Sequence, residues 1–440
     1  MKTIHVGMLG IGNIGKGTWQ TLEQGRARIE ETTGLDIRIE RILCRTIRPE
    51  RAEEIGVPPE QAASLFTTDP AAILDDPGID IVVELMGGIE PATSYMAQAL
   101  KNGKHVVTAN KAAVAANGEM LQQLAQDNGV LLRFEASVAG GIPIINAVTS
   151  PLLANTFSEL HGILNGTTNY ILTQMSEYGK DYADVLKDAQ AKGFAEADPT
   201  ADVEGIDAAN KLSILISLIF GIKVGPDEIA REGITRVSAH DIRFARESGY
   251  RIKLLASAAE KDGKVYCSVE PALVPEDHPL ASVNNEFNAV FVTGSAVDSL
   301  MFYGRGAGPL PTGSAVMGDV IEIAIAIAKN TAYDNVPLLR YDTDLTCAGE
   351  GAHRYYVRMT VANRTGVLGS IANTFGAHGI SVKSVIQRGA GAAGARETQP
   401  EVPLLFIVYE TERSNLNEAL AEIKEQDIVL SVDNILRVED

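Results

Sequence analysis

Ile4-His5-Val6-Gly7-Met8-Leu9-Gly10-Ile11-Gly12-Asn13-Ile14-Gly15 is the stretch that decides the fold. Its first half is an apolar run of strand length. The pattern then becomes G-x-G-x-x-G on Gly10, Gly12 and Gly15, and Ile14 to Ile29 continues as an amphipathic helix. Between a buried strand and a helix start, such glycines permit a tight turn and let backbone approach a pyrophosphate. The phosphate charge then rests on the helix N-terminus. The glycine spacing alone would be a weak signal, but both flanks fit. Gly10, Gly12, Asn13, Ile14 and Gly15 are therefore read as a dinucleotide-binding loop.

Working outward, the second strand runs from Leu35 to Cys44 and ends at Arg45. A strict NAD site would place a carboxylate there for the ribose 2′-hydroxyl, and Glu40 is mid-strand and badly placed for it. Arg45 suits a 2′-phosphate, so NADP is favoured with NAD tolerated; a plain surface arginine is the alternative. Strands follow at Ile79 to Leu85, Val106 to Thr108 and Leu131 to Glu135, separated by helices. One of these opens at Pro91 and reaches about Asn102. Alternation of this kind predicts a Rossmann-type, doubly wound parallel sheet over residues 1–135, with ligands outside the carboxyl ends of its strands. Lys111, in Thr108-Ala109-Asn110-Lys111, sits at such an end.

At 440 residues the chain is too long for one core, and domains of roughly 100–200 residues imply two to four. Hydrophobic residues make up 45% and charged ones 22%, a globular balance. The 38 basic residues against 57 acidic ones leave a net charge of -19, which disfavours nucleic acid and anionic lipid as partners. Small molecules or further copies of the chain fit better. Cys44, Cys267 and Cys347 match neither a disulfide framework nor a metal spacing and are read as packing residues. His5, His161 and His278 lack ligand-spaced neighbours and are read as structural. No signal pattern opens the chain, and its most apolar run, Leu212 to Ile222, is too short to span a bilayer. A soluble, cytoplasmic protein is expected.

The middle of the chain reads as an α+β domain, residues 136–313. Ala136 to Pro143 is a Gly/Pro-rich turn, and Ser158 to Leu164 a strand leading into Asn165-Gly166-Thr167-Thr168-Asn169 and helices to Lys192. Next comes an acidic run from Gly193 to Lys211, in which Pro199 and Gly205 prevent a regular helix until about Gly205. Asp207 and Lys211, four apart, then share a helix face. Such a cluster could grip an ammonium group and handle a proton. By itself, a solvated loop with an i,i+4 ion pair explains it better. Arg251 to Glu260 and Lys264 to Pro271 form paired strands about an Asp262-Gly263 turn. Phe287 to Thr293 and Ser299 to Tyr303 continue an antiparallel sheet. A second glycine-rich turn, Gly304 to Gly308, precedes a helix over about 314–330 that packs back on the first domain and completes it.

Residues 341–352 are polar and turn-rich, a linker. From His353 the order is strand, turn (Asn363 to Gly366), helix (Val367 to His378), strand (Ile380 to Arg388) and hairpin tip (Gly389 to Ala395). Strand (Pro403 to Glu410), helix (Ser414 to Gln426) and strand (Ile428 to Val438) follow. That βαββαβ order over 353–440 is ferredoxin-like. It carries no catalytic constellation, so binding or assembly is its role.

Taken together, the glycine loop, Thr108 to Lys111, Glu135 to Pro143, Asn165 to Asn169 and Gly193 to Lys211 resemble homoserine dehydrogenase, in the right order over residues 1 to about 340. The resemblance implies reversible reduction of L-aspartate 4-semialdehyde to L-homoserine by NAD(P)H, in the biosynthesis of threonine, methionine and isoleucine. It implies Lys211 as proton donor and Lys111 as its catalytic partner on the nicotinamide side. Glu196 and Asp207 become substrate ligands, and Gly193 and Gly308 approach the cofactor. It also implies a monovalent cation, usually sodium, on Glu135 and the carbonyls of Val138, Gly140 and Ile142. The C-terminal segment resembles an ACT domain through Asn363 to Leu368 and His378 to Ser381, although its turn has Asn363 and Thr365 where the family commonly has Asp and Pro. That likeness implies L-threonine as feedback inhibitor and a homodimer or homotetramer. Two other readings stay open: a dehydrogenase of another amino-acid semialdehyde, and a non-catalytic nucleotide and amino-acid sensor. The paired lysines argue against the sensor.

Overall fold

The structure is a computed structural model that describes residues 1–331, 338–341, 343–387 and 400–439. The chain forms two compact units. The first comprises Met1–Leu160, Asn210–Asp227 and Phe287–Leu345; the second comprises His161–Ala209, Glu228–Glu286 and Thr346–Asp440.

The first unit is built on six parallel strands: β1 (Lys2–Leu9), β2 (Leu35–Leu43), β3 (Phe66–Thr67), β4 (Ile81–Glu84), β5 (His105–Thr108) and β6 (Leu132–Arg133). Their order is β3-β2-β1-β4-β5-β6, so the direction of winding reverses between β1 and β4, where a doubly wound sheet opens its ligand crevice. The apolar run of β1 explains its central place, since Ile4, Val6 and Met8 are fully buried. The expected strand at Leu131 to Glu135 is shorter. It stops at Arg133, and Glu135–Ser137 is a 3-10 turn. Ala139 and Gly140, in the expected turn, are consecutive left-handed residues (φ 55° and 52°), and a short helix, Ile144–Thr149, follows it, in a stretch for which the sequence predicted no element.

Strand β7 (Phe157–Ile163) leads to the second unit, whose helices Gly166–Tyr178 and Tyr182–Ala191 precede the acidic run. That run is not wholly irregular, because Thr200–Val203 makes one helical turn after Pro199. The helix Ile206–Phe220 starts one residue after Gly205 (φ 76°), close to the expected place. Strand β8 (Ala230–Arg231) pairs in parallel with β10 (Lys264–Pro275), which is antiparallel to β9 (Tyr250–Lys261). Lys261 faces Lys264 across a two-residue turn with Asp262 and Gly263 both left-handed, the geometry that matches strand twist.

The chain returns to the first unit for the antiparallel pair β11 (Phe287–Gly294) and β12 (Asp298–Arg305), then for the helix Pro309–Lys329. That helix is long and apolar enough to cross a membrane by length and composition, but half of it is buried. Val316, Val320 and Ile323 join Ile4, Val6, Met8 and Leu22 in one core. Any side chain on Gly17, in the helix Asn13–Thr33, would collide with the Pro309 carbonyl. The helix thus packs into the core of the parallel sheet.

The linker is not unstructured. Strand β13 (Thr346–Gly349) pairs in parallel with β10. It sets Cys347 beside Cys267, Sγ to Sγ 3.8 Å, and Cys347 is exposed and therefore not the packing residue expected. Strands β14 (His353–Ala362), β15 (Val382–Gln387), β16 (Glu401–Thr411) and β17 (Val429–Val438) stand in the order β17-β14-β16-β15, with helices Val367–Ala377 and Arg413–Lys424. This is the expected ferredoxin-like sheet; the hairpin tip, Gly389 to Ala395, lies outside the described residues. Its core holds Tyr355, Val357, Ile371, Phe375, Phe406 and Leu420. β17 also pairs with β10, so this domain extends the β9-β10 sheet.

Candidate active site

The glycine loop is tied to the strand ends around it. Gly10 donates to the Leu43 carbonyl at 3.0 Å, and Leu85 donates to Leu9 at 2.9 Å. A side chain on Gly10 (φ 108°) would lie 2.9 Å from the Leu85 carbonyl, and one on Gly15 2.7 Å from the Gly10 carbonyl. Gly12 differs: nothing lies within 4 Å of where its Cβ would stand. It is the N-cap of Asn13–Thr33, with no side-chain cap and no acid in the first turn. The helix's first N–H groups are therefore free to meet an anion over an open glycine surface, which fits a pyrophosphate. Asn13 is exposed and Ile14 half-buried beside it. Arg45 is exposed two residues beyond Leu43, whose carbonyl holds Gly10.

At the neighbouring strand ends, sequence reasoning missed Glu84. It is fully buried, accepting from Met86 N at 2.7 Å and from the Thr108 hydroxyl at 2.6 Å. Burial raises its pKa, and these hydrogen bonds only partly oppose that. Thr108 in turn accepts from Asn110 N at 3.0 Å. Asn110 caps the helix Lys111–Asp127 by accepting from Ala113 N at 3.1 Å, and its amide donates to the Gly88 carbonyl at 2.6 Å. Lys111, the first residue of that helix, is thereby fixed at the end of β5. An acid ending an otherwise apolar strand was the available signal.

In the second unit, Gly193 is left-handed (φ 76°) and exposed, Glu196 is exposed, and Asp207 is buried. Lys211 is also buried, one turn after Asp207, and the helix carrying both passes from the second unit to the first between Ala209 and Asn210. Lys111 and Gly308 (φ 120°) belong to the first unit with the glycine loop. Asn165, whose motif had no residue-level role in the sequence, reaches the acidic run with its side-chain amide.

Glu135 is buried and spans the start of Ile144–Thr149, accepting from Ile145 N at 2.8 Å and Asn146 N at 2.6 Å. Its own N–H donates to Asp319 at 2.9 Å. Burial raises Glu135 to about 7 and Asp319 well above the usual carboxylate range. The nearby cation, Arg133, is engaged by Glu322 at 2.9 Å. Val138, Gly140 and Ile142 are buried, and Gly140 leaves no room for a side chain against the Gly306 carbonyl. Among the described residues no three His, Cys, Asp or Glu side chains could hold a metal, so a cation here would depend on Glu135 and backbone carbonyls. A cavity of about 1020 Å³ is lined by Arg133, Glu135, Asn146, Ser217, Asp319 and Glu322 among others, but by none of the glycine loop, Lys111 or Lys211.

Comparison with known proteins bears directly on this arrangement. Residues 10–135 match the family model "Homoserine dehydrogenase, NAD binding domain", residues 143–321 "Homoserine dehydrogenase" and residues 355–427 "ACT domain". The chain is 41% identical over 449 residues to homoserine dehydrogenase of Synechocystis sp., covering 99% of each chain. It is 35% identical to that of Bacillus subtilis, covering 100% of this chain and 99% of the other. The crystal structure of a homoserine dehydrogenase from Thiobacillus denitrificans superposes with a TM-score of 0.91 at 40% identity, over 100% of this chain and 99% of that one. A hyperthermophilic archaeal homoserine dehydrogenase in complex with NADPH superposes over 73% of this chain and 98% of its own, with a TM-score of 0.63 and 27% identity.

Proposed function

The chain belongs to the homoserine dehydrogenase family, NAD(P)-dependent oxidoreductases that interconvert L-aspartate 4-semialdehyde and L-homoserine, and from that premise we propose a role for each residue of its site. NAD(P), when bound, exchanges hydride with the carbonyl carbon of the substrate. Gly10, Gly12, Asn13, Ile14 and Gly15 carry the pyrophosphate on free backbone N–H groups, and left-handed Gly193 and Gly308 bring backbone close to the cofactor. Lys211 donates a proton to the aldehyde oxygen as it gains negative charge, and takes it back from the hydroxyl in the reverse direction. Lys111 stands on the nicotinamide side. Glu196 and Asp207 bind the ammonium group. The observation that carries this reading is Asp207 and Lys211, both buried, one turn apart on one helix.

Arg45 makes NADP the preferred cofactor, and the NADPH complex of the archaeal relative supports that choice. Glu135, with the carbonyls of Val138, Gly140 and Ile142, would hold a monovalent cation. Two buried carboxylates whose nearby arginine is engaged elsewhere favour added positive charge, which would neutralise Glu135 and fix the Ala139–Gly140 turn. The ACT domain would sense L-threonine and pair in a cytoplasmic homodimer or homotetramer, in a route to threonine, methionine and isoleucine. Oxidation of L-homoserine by the purified protein, with NADP and NAD and with and without L-threonine, tests the assignment. Faster turnover with NADP, lowered by threonine, is expected. A preference for NAD sinks the role of Arg45, and indifference to threonine leaves the ACT domain to assembly alone.

A further inference from the structure

We propose that Asn165 is a positioning residue for substrate binding, its side-chain amide holding Asp202 and Asp207 side by side so that their paired charge receives the substrate ammonium. The inference rests on the role given to Asp207 above. Asn165 is buried at the N-cap of Gly166–Tyr178, and its Oδ1 accepts from Thr168 N at 2.9 Å and from the Thr168 hydroxyl at 3.0 Å. The cap fixes which way the amide faces. Nδ2 must therefore point at the acidic run, where it donates to Asp202 Oδ1 at 2.7 Å and to Asp207 Oδ2 at 2.9 Å. Both of its protons are used.

The residue type matters. An arginine or lysine here would hold the two carboxylates equally well but would cancel part of their charge. A neutral amide donates to both carboxylates without adding a positive charge of its own. The same helix frames the rest of the acidic segment. The Thr167 hydroxyl donates to the Phe194 carbonyl at 2.6 Å, the Tyr170 hydroxyl donates to Asp188 at 2.8 Å, and the Tyr170 and Phe194 rings stand 4.8 Å apart. Asn169 anchors the helix from behind, donating to the carbonyls of Val283 at 3.1 Å and Asn285 at 2.9 Å and accepting from buried Lys253 at 3.3 Å. The acidic segment is thus hung from one helix at both ends, and Asn165 holds the end that carries Asp207.

The test is steady-state oxidation of L-homoserine by Asn165→Ser, which keeps a capping oxygen and deletes both amide donors. Two lost hydrogen bonds to charged groups predict a KM for L-homoserine raised by at least about tenfold, with kcat within about threefold and NADP affinity unchanged. Asp207→Asn alone should also raise KM, and the double variant should be no worse than Asp207→Asn if Asn165 acts through that carboxylate. Additive effects, or an unchanged KM in Asn165→Ser, overturn the positioning role while leaving Asp207 as a ligand. An unchanged KM in Asp207→Asn instead removes the reading beneath it. Should Asn165→Ser fold poorly, Thr168→Ala, which frees the amide by removing one hydroxyl contact, must show the same KM-selective loss in smaller degree, or the proposal falls.

Discussion

Replacing Asp241 with asparagine should loosen the attachment of the C-terminal domain without touching the site. Asp241 is the third residue of the helix Ala239–Glu247, and its side chain is completely buried. It accepts from Ser238 N at 2.9 Å as half of a capping box, and then from three residues of the C-terminal domain. These are the Tyr356 hydroxyl at 2.9 Å, Arg358 Nε at 2.8 Å and Asn434 Nδ2 at 3.1 Å. Burial alone would raise its pKa, but the hydrogen bond and charge of Arg358 outweigh burial and hold it below the ordinary aspartate value. A depressed carboxylate contributes stability above its unfolded pKa and loses it as pH falls through the folded one, so the contribution is fully present at neutral pH. Removing one partner of a buried ion pair costs about 3–5 kcal/mol. Arg358 keeps Asp433 at 3.1 Å, which places Asp241→Asn at the low end, about 3 kcal/mol. Because a multidomain chain has no single unfolding free energy, the assay is hydrogen exchange of β14, β17 and Ala239–Glu247 amides. They should exchange about 100-fold faster in the variant, and much of the loss should return in Asp241→Asn with Arg358→Met, which removes the stranded charge. Exchange within about threefold of wild type would refute the reasoning.

Two further expectations follow from burial and sterics. Lys253 is buried among the carbonyl of Val283 and the side-chain oxygens of Asn169 and Asn284, and burial lowers it to about 7. The unfolded chain then binds more protons than the folded one between pH 7 and about 10, so the midpoint of the thermal transition that unfolds β9 should climb through that window in wild type and stay flat in Lys253→Met; equal slopes would contradict this. Gly12→Ala meets open space and should fold normally yet lose NADP affinity, whereas Gly17→Ala meets the Pro309 carbonyl and should fold poorly. A Gly12→Ala protein with intact NADP affinity would count against the phosphate reading of the loop.

What the sequence disclosed follows from how local each signal is. The strand–glycine–helix order around Gly10 to Gly15 and the Asp262-Gly263 turn are local constraints on φ and space, and both appear where expected. Asp207 and Lys211 share a helix, so their spacing was readable too. β13 was not: it is a parallel partner of a strand about 80 residues earlier, and nothing in polar residues 341–352 marks it. Asn165 reaching Asp202 and Asp207 (37 and 42 residues on), and Cys267 meeting Cys347, are pairings of distant segments that leave no periodic trace. Glu84 lay in plain sight as an acid closing a buried strand, but its partner, the Thr108 hydroxyl, is on the next strand.

The central claim is that Lys211 moves the proton while backbone and glycines hold the cofactor. It is tested most directly by L-homoserine oxidation in Lys211→Ala at saturating NADP, alongside NADP binding to the same protein. The account predicts a kcat lower by at least about 100-fold with NADP affinity unchanged. Turnover within about tenfold of wild type, in folded protein that binds NADP normally, would contradict it.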